Sequence, residues 1–197
     1  MTSAISAKQV SIMAMTATLF ALFFYLSGLV AVPNFTFLYL PIILLGIFPI
    51  WFGWNGLIGS MIGAVIGGFL VEGLGAFAWI EATTALVIYA LNWVLIPRRA
   101  TEGKLKWTLS LFAVYAATLF IGTVFILWQL TAIVGIFTPT IAQAFLLPAF
   151  GLNFAIEILI CPALIRALSP KMKSWGIYAG NFSQWRTLRQ TKPNTTR

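Results

Sequence analysis

The chain has 197 residues, 60% of them hydrophobic and 8% charged, with twelve Lys and Arg against four acids for a formal net charge of +8. An ordinary soluble domain carries about 25% charged residues, and a soluble core of this size cannot hide so much apolar surface. The composition therefore excludes a soluble globular protein and leaves lipid as the solvent. In lipid every backbone amide must be satisfied within the fold, and long continuous apolar runs favour helices over a barrel.

About twenty apolar residues cross a bilayer. The first run, 10–32, is long enough to span and lacks a small-residue cleavage site, so it reads as a retained helix ended by Pro33-Asn34. The second, 36–52, contains Pro41 and Pro49, and Phe52-Gly53-Trp54-Asn55 turns the chain into a short glycine-rich third run, 56–71. The fourth, 78–96, is stopped by Pro97-Arg98-Arg99; the fifth covers 108–133; the sixth, 143–168, is stopped by Ser169-Pro170-Lys171. The expected architecture is all-α, an integral membrane bundle of six transmembrane helices. Residues 1–170 form the membrane domain and 171–197 a basic, aromatic tail. In that tail Trp175, Tyr178, Phe182 and Trp185 recur at near-helical spacing, which suits either an interfacial segment or a loosely ordered end.

Charge tests the count of six. With a cytoplasmic start, all twelve bases fall on the cytoplasmic side: Lys8, then Arg98, Arg99, Lys104 and Lys106, then Arg166, Lys171, Lys173, Arg186, Arg189, Lys192 and Arg197. This is the positive-inside pattern, with N and C termini both cytoplasmic. It also accounts for the net charge without nucleic acid, because the bases sit in short loops and a tail beside apolar runs.

Absences exclude further chemistry. The chain has no His and no Asp, which removes Ser-His-Asp triads, aspartyl dyads and His-based metal sites; it reads as a non-enzyme with no cofactor and no metal. No G-x-x-x-x-G-K-[ST] loop is present for ATP. The single cysteine, Cys161, lies in an apolar helix and reads as packing.

The acids are all Glu. Glu102 sits among bases in the fourth–fifth loop. Glu72 and Glu81 flank the outer connection between the third and fourth runs, and Glu157 lies within the sixth, where a charged side chain facing lipid costs at least a few kcal/mol. Asn153 shares a helical face with Glu157; Glu81, Thr84 and Asn92 form a stripe, as do Tyr115, Thr118, Gly122 and Gln129. Together these suggest a polar, acidic cavity opening outward. Glu72, Glu81, Gln129 and Gln143 stand at its mouth, Asn153 and Glu157 deeper, and Trp79, Trp128, Phe150 and Phe154 are candidate walls. Gly59, Gly63 and Gly67 form overlapping G-x-x-x-G units, and Ala17 and Ala21, with Ala14 nearby, give the first helix a small-residue face for packing inside the bundle or against a partner.

This layout resembles a substrate-binding (S) component of the energy-coupling factor (ECF) vitamin transporters. The resemblance rests on six helices in about 200 residues, the Ala17-x-x-x-Ala21 pair, the stretch LPIILLGIFPIWFGWNGLIGSMIGAVIGG at 40–68 and the last helix, LPAFGLNFAIEILICPALI at 147–165. It implies a plasma-membrane importer in which Ala17 and Ala21 dock on a membrane scaffold subunit that binds two cytoplasmic ATPases. It also implies a vitamin-like ligand held near the outer face, with residues 33–36 as part of a lid. An acidic, aromatic pocket favours a cationic heterocycle such as thiamine or its pyrimidine precursor. The alternatives are a stand-alone secondary carrier or channel using Glu157 for proton coupling, or a membrane enzyme or sensor anchor.

Overall fold

The computed structural model describes residues 6–29, 38–73 and 75–191, the side chains of 72 and 188–191 excepted. Within them the chain forms helices α1 (Ala7–Gly28), α2 (Pro41–Glu72), α3 (Ala76–Leu95), α4 (Leu105–Ala132), α5 (Pro139–Ser174) and α6 (Phe182–Thr191). The first five are long and apolar enough to cross a membrane, and the protein is a multi-pass helical bundle. Local signals set their ends. Ser6 and Gln9 form a capping box at the start of α1. Pro41 and Pro139 stand at the first positions of α2 and α5, where no amide hydrogen is missed. Ile96 is driven to an extended conformation by Pro97 and stops α3.

The thirty-two residues of α2 are two antiparallel spans, not one. Gly53 takes φ 50° and ψ −126°, a conformation outside the helical region and open to glycine. Contacts on either side of it show the reversal. The amide of Leu40 donates to Ser27 Oγ at the end of α1, 2.9 Å away. Phe52, Trp54 and Asn55 share a cleft with Ser6, Lys8 and Ile12 at the beginning of α1. Gly67 then lies against Phe24, again near the end of α1. The chain therefore descends through 41–52, turns at Gly53 and ascends alongside α1. With this hairpin the described residues run along the bundle six times, the number that the one-sided distribution of charge calls for.

The ascending span carries the glycine ridge. A Cβ on Gly63 would lie 2.5 Å from the carbonyl oxygen of Ala17, one on Gly67 would lie 2.6 Å from Phe24 Cβ, and one on Gly59 would overlap the Thr16 hydroxyl. Bare backbone lets the two helices approach at this seam, the G-x-x-x-G use of small residues. It also corrects the expected docking face. Ala17 and Ala21 are 7% and 8% exposed and turn to the inside of the bundle, while Ala14, Thr18, Leu22 and Tyr25 form the open face of α1.

Reversal at Gly53 and the proline at 49 leave carbonyls without helical donors, and other elements supply them. Pro49 cannot donate to Leu45, whose carbonyl instead accepts from Asn92 Nδ2 at 3.1 Å. The carbonyls of Ile50 and Trp51 accept from the amides of Gly180 and Ala179 at 2.8 and 2.9 Å, and that of Gly53 accepts from the Tyr89 hydroxyl at 2.6 Å. Trp51 Nε1 donates to Ser169 on α5 at 3.0 Å.

The tail is thus built into the bundle. α5 runs past the expected boundary at 170/171 to Ser174, and the segment after it folds back under the hairpin. Trp93 Nε1 donates to the Gly180 carbonyl, Asn181 Nδ2 donates to the Ile96 carbonyl, and Phe182 and Trp185 enclose the Trp93 ring at 5.3 and 5.4 Å. Lys8 Nζ donates to the carbonyl of Gly176 at 2.9 Å, Arg98 to Ser183, and Arg166 to Thr108. The described bases accordingly gather at one end, which the positive-inside rule assigns to the cytoplasm.

Candidate functional site

At the opposite end, α2 before its turn, α3, α4 and α5 separate around a cavity of about 70 Å³, lined by Tyr39, Ile42, Glu81, Thr84, Thr123 and Asn153 among aliphatic side chains. A buried water needs about 10–15 Å³ on such a measure, so the space suits about five waters or a small ligand group. Its walls are largely apolar with a few convergent polar groups, the usual make-up of a small-molecule site.

Each polar group is placed by a neighbouring helix. The amides of Tyr39 and Leu40, just before the first turn of α2, have no intrahelical acceptor. That of Tyr39 donates to Asn153 Oδ1 at 2.8 Å, and Asn153 Nδ2 donates back to Ala149 in its own helix at 2.8 Å. Asn153 therefore ties the mouth of α2 to α5. Gln129 Oε1 accepts from Thr83 and its Nε2 donates to Thr84, at 2.9 and 3.1 Å, which fixes Thr84 from α4. Glu81, half-buried on α3, brings the carboxyl of the cavity lining. Within that lining it is the one carboxylic acid.

The sequence candidates divide. Glu81 and Asn153 line the cavity. Gln129 is buried but spends both ends of its amide on Thr83 and Thr84, so it braces α3 against α4 instead of lining the space. Trp79 and Trp128 are 67% and 54% exposed and face outward, a correction to their role as walls. Interfacial Trp serves the membrane surface equally well, and helical phase alone separates the two uses. Gln143 is also exposed. Phe150 and Phe154 stack on each other at 5.5 Å and pack against the core. The side chain of Glu72 and the expected lid at 33–36 lie outside the described residues. Tyr39 and Thr123 were not singled out by sequence. Pro41, expected inside a helix over 36–52, is instead the first residue of α2, and a proline at that position puts the residues just before it at a helix mouth.

Glu157 lies one turn below Asn153 and is 0% exposed. Its carboxyl abuts Gly46, where a Cβ would meet Oε1 at 3.0 Å, and stands near Asn92 without reaching hydrogen-bond geometry. Around it Asn92 Oδ1 accepts from Thr118 at 2.8 Å, the Tyr115 hydroxyl donates to the Gly46 carbonyl at 3.1 Å, and the Cys161 thiol points at the Ile43 carbonyl. The deeper members of the three polar stripes, Glu157, Asn92, Tyr115 and Thr118, thus meet in one buried layer beneath the cavity. No family model, curated protein or solved structure matches this chain.

Proposed function

We propose that this protein is the solute-binding subunit of an ECF-type importer in the plasma membrane, holding a small, positively charged, vitamin-like solute at the outer end of its bundle. The observation that supports this most is the cavity between α2, α3, α4 and α5. It is polar at Glu81, Thr84, Thr123 and Asn153, stands at the end opposite the bases, and belongs to a chain without a nucleotide-binding loop. Glu81 supplies the charge that selects a cation; Asn153 and Thr84 supply hydrogen bonds that orient it. A volume of about 70 Å³ admits a cationic head group, and a whole heterocycle enters only if the Tyr39 end of α2 moves away from α5.

Transport then depends on a scaffold and two ATPases, with Ala14, Thr18 and Leu22 on the open face of α1 as the scaffold-facing residues. The test is a thermal-shift titration of the purified full chain with thiamine, its pyrimidine precursor and uncharged vitamins. Stabilisation by the cationic compounds that is lost in Glu81→Gln supports the reading; equal stabilisation of both proteins by them refutes the charge role. Ala14→Trp with Thr18→Trp should abolish co-purification with a scaffold.

A second reading is favoured by Glu157, whose carboxyl is fully buried beside Asn92, has no ion-pair partner among the described residues and sits beneath the cavity. A stand-alone carrier would bind and release a proton there. Proton flux into liposomes containing this chain alone, abolished in Glu157→Gln, selects that reading over the first.

A further inference from the structure

The basic end carries a second concave site that the solute reading does not use. It is a pocket of about 370 Å³ where the loop after α5 meets α6, with Arg98, Lys173, Tyr178, Gln184 and Thr187 on its walls. Its two cations come from distant parts of the chain and are both held in place. Arg98 Nε donates to Ser183 Oγ at 2.7 Å, which leaves the terminal nitrogens of its guanidinium for another acceptor. Lys173 Nζ stands 4.8 Å over the Tyr178 ring.

The charge of this pocket is unbalanced. Among the described residues Glu102 is the acid of the basic end, and it is engaged by Arg99 at 3.4 Å and Lys104 at 3.9 Å. Neither Arg98 nor Lys173 has a carboxylate partner among the described residues. Burial pushes the Tyr178 hydroxyl above its ordinary range, so it keeps its proton as a donor. The walls therefore offer a guanidinium, an ammonium, a phenol and an amide to an anion, and no carboxylate to repel one. Trp175, an exposed aromatic of the kind that settles at headgroup depth, stands at the start of the segment.

We propose that this pocket binds a phosphate group, carried by the headgroup of an anionic phospholipid in the cytoplasmic leaflet. Guanidinium and ammonium together match a phosphodiester, and the site opens where the spans end and headgroups begin. A lipid bound there bridges the α3–α4 loop, the end of α5 and α6, and fastens the tail that closes the hairpin.

Native mass spectrometry of the delipidated full chain, titrated with phosphatidylglycerol or phosphatidylcholine, tests this. The expected result is one retained phosphatidylglycerol at concentrations where phosphatidylcholine is not retained, weakened about 10- to 30-fold in the double variant Arg98→Gln, Lys173→Gln. Arg98→Lys with Lys173→Arg should restore retention, and Lys106→Gln should leave it unchanged. Equal retention by wild type and the double variant, with unchanged thermal unfolding, overturns the site. Equal retention of the two lipids also overturns it. Displacement of the lipid by millimolar inorganic phosphate overturns the lipid assignment and gives the site to a free phosphate. None of these outcomes depends on the outer cavity, so each is separable from the solute reading.

Discussion

The two ends of this bundle handle buried polar groups in opposite ways. At the basic end the carbonyls left open by the Gly53 reversal are closed one by one, by the backbone amides of 179–180 and by Tyr89, while Trp93 and Asn181 close the carbonyls of Gly180 and Ile96. At the acid end Glu81, Thr84, Thr123 and Asn153 surround a space. A satisfied network rigidifies, while convergent polar groups around a void provide a place for a ligand. Stability should therefore reside at the basic end and binding at the other.

The largest expected effect is that of Gly53→Ala. It adds strain at positive φ and a Cβ 2.9 Å from Ala179 and 3.1 Å from Trp93. A loss of about 3 kcal/mol, read as a fall in unfolding temperature in detergent, follows. An unfolding temperature unchanged from wild type would break the comparison at its rigid end. Next comes Asn92→Ala in the middle layer, which strands the Leu45 carbonyl that Pro49 cannot serve and removes an acceptor from Thr118. About 2 kcal/mol is expected on the same scale.

Asn153→Ala should behave differently. It frees the Tyr39 amide at the cavity mouth, costs about 1 kcal/mol of stability, and lowers ligand affinity by a larger factor than that cost implies. Equal losses in stability and binding would mean that the mouth is mere scaffold. The smallest effects belong to Trp79→Ala and Trp128→Ala. Both side chains face away from the cavity, so calorimetric affinity for the solute should change less than about twofold. A tenfold loss in either would return that ring to the site.

Much of this was legible in the sequence because lipid imposes strict rules. Run length and the one-sided bases gave six crossings, and the turn at Phe52-Gly53-Trp54-Asn55 divides two spans that are otherwise a continuous helical run. The inward phase of Asn153, Glu157, Thr84, Tyr115 and Thr118 followed from their spacing. What the sequence left open were choices between chemically equal partners. Trp79 and Trp128 suit a pocket wall and a membrane surface alike. Ala17 and Ala21 suit a scaffold and a neighbouring helix alike, and the glycine ridge of α2, at Gly59, Gly63 and Gly67, takes that side of α1. Periodicity showed aromatics recurring through the tail, but no local signal tells that Gly180 and Ala179 close a hairpin far earlier in the chain.

That closure sets an order in time. The hairpin tip at 50–53 is synthesised roughly 130 residues before the amides that complete it, a delay on the order of ten seconds at about 5–20 residues per second. Until Ala179 and Gly180 arrive, the carbonyls of Ile50 and Trp51 face the cytoplasmic side without protein donors. The hairpin tip therefore stays open through most of translation, and the arrival of this short loop is the step that closes it.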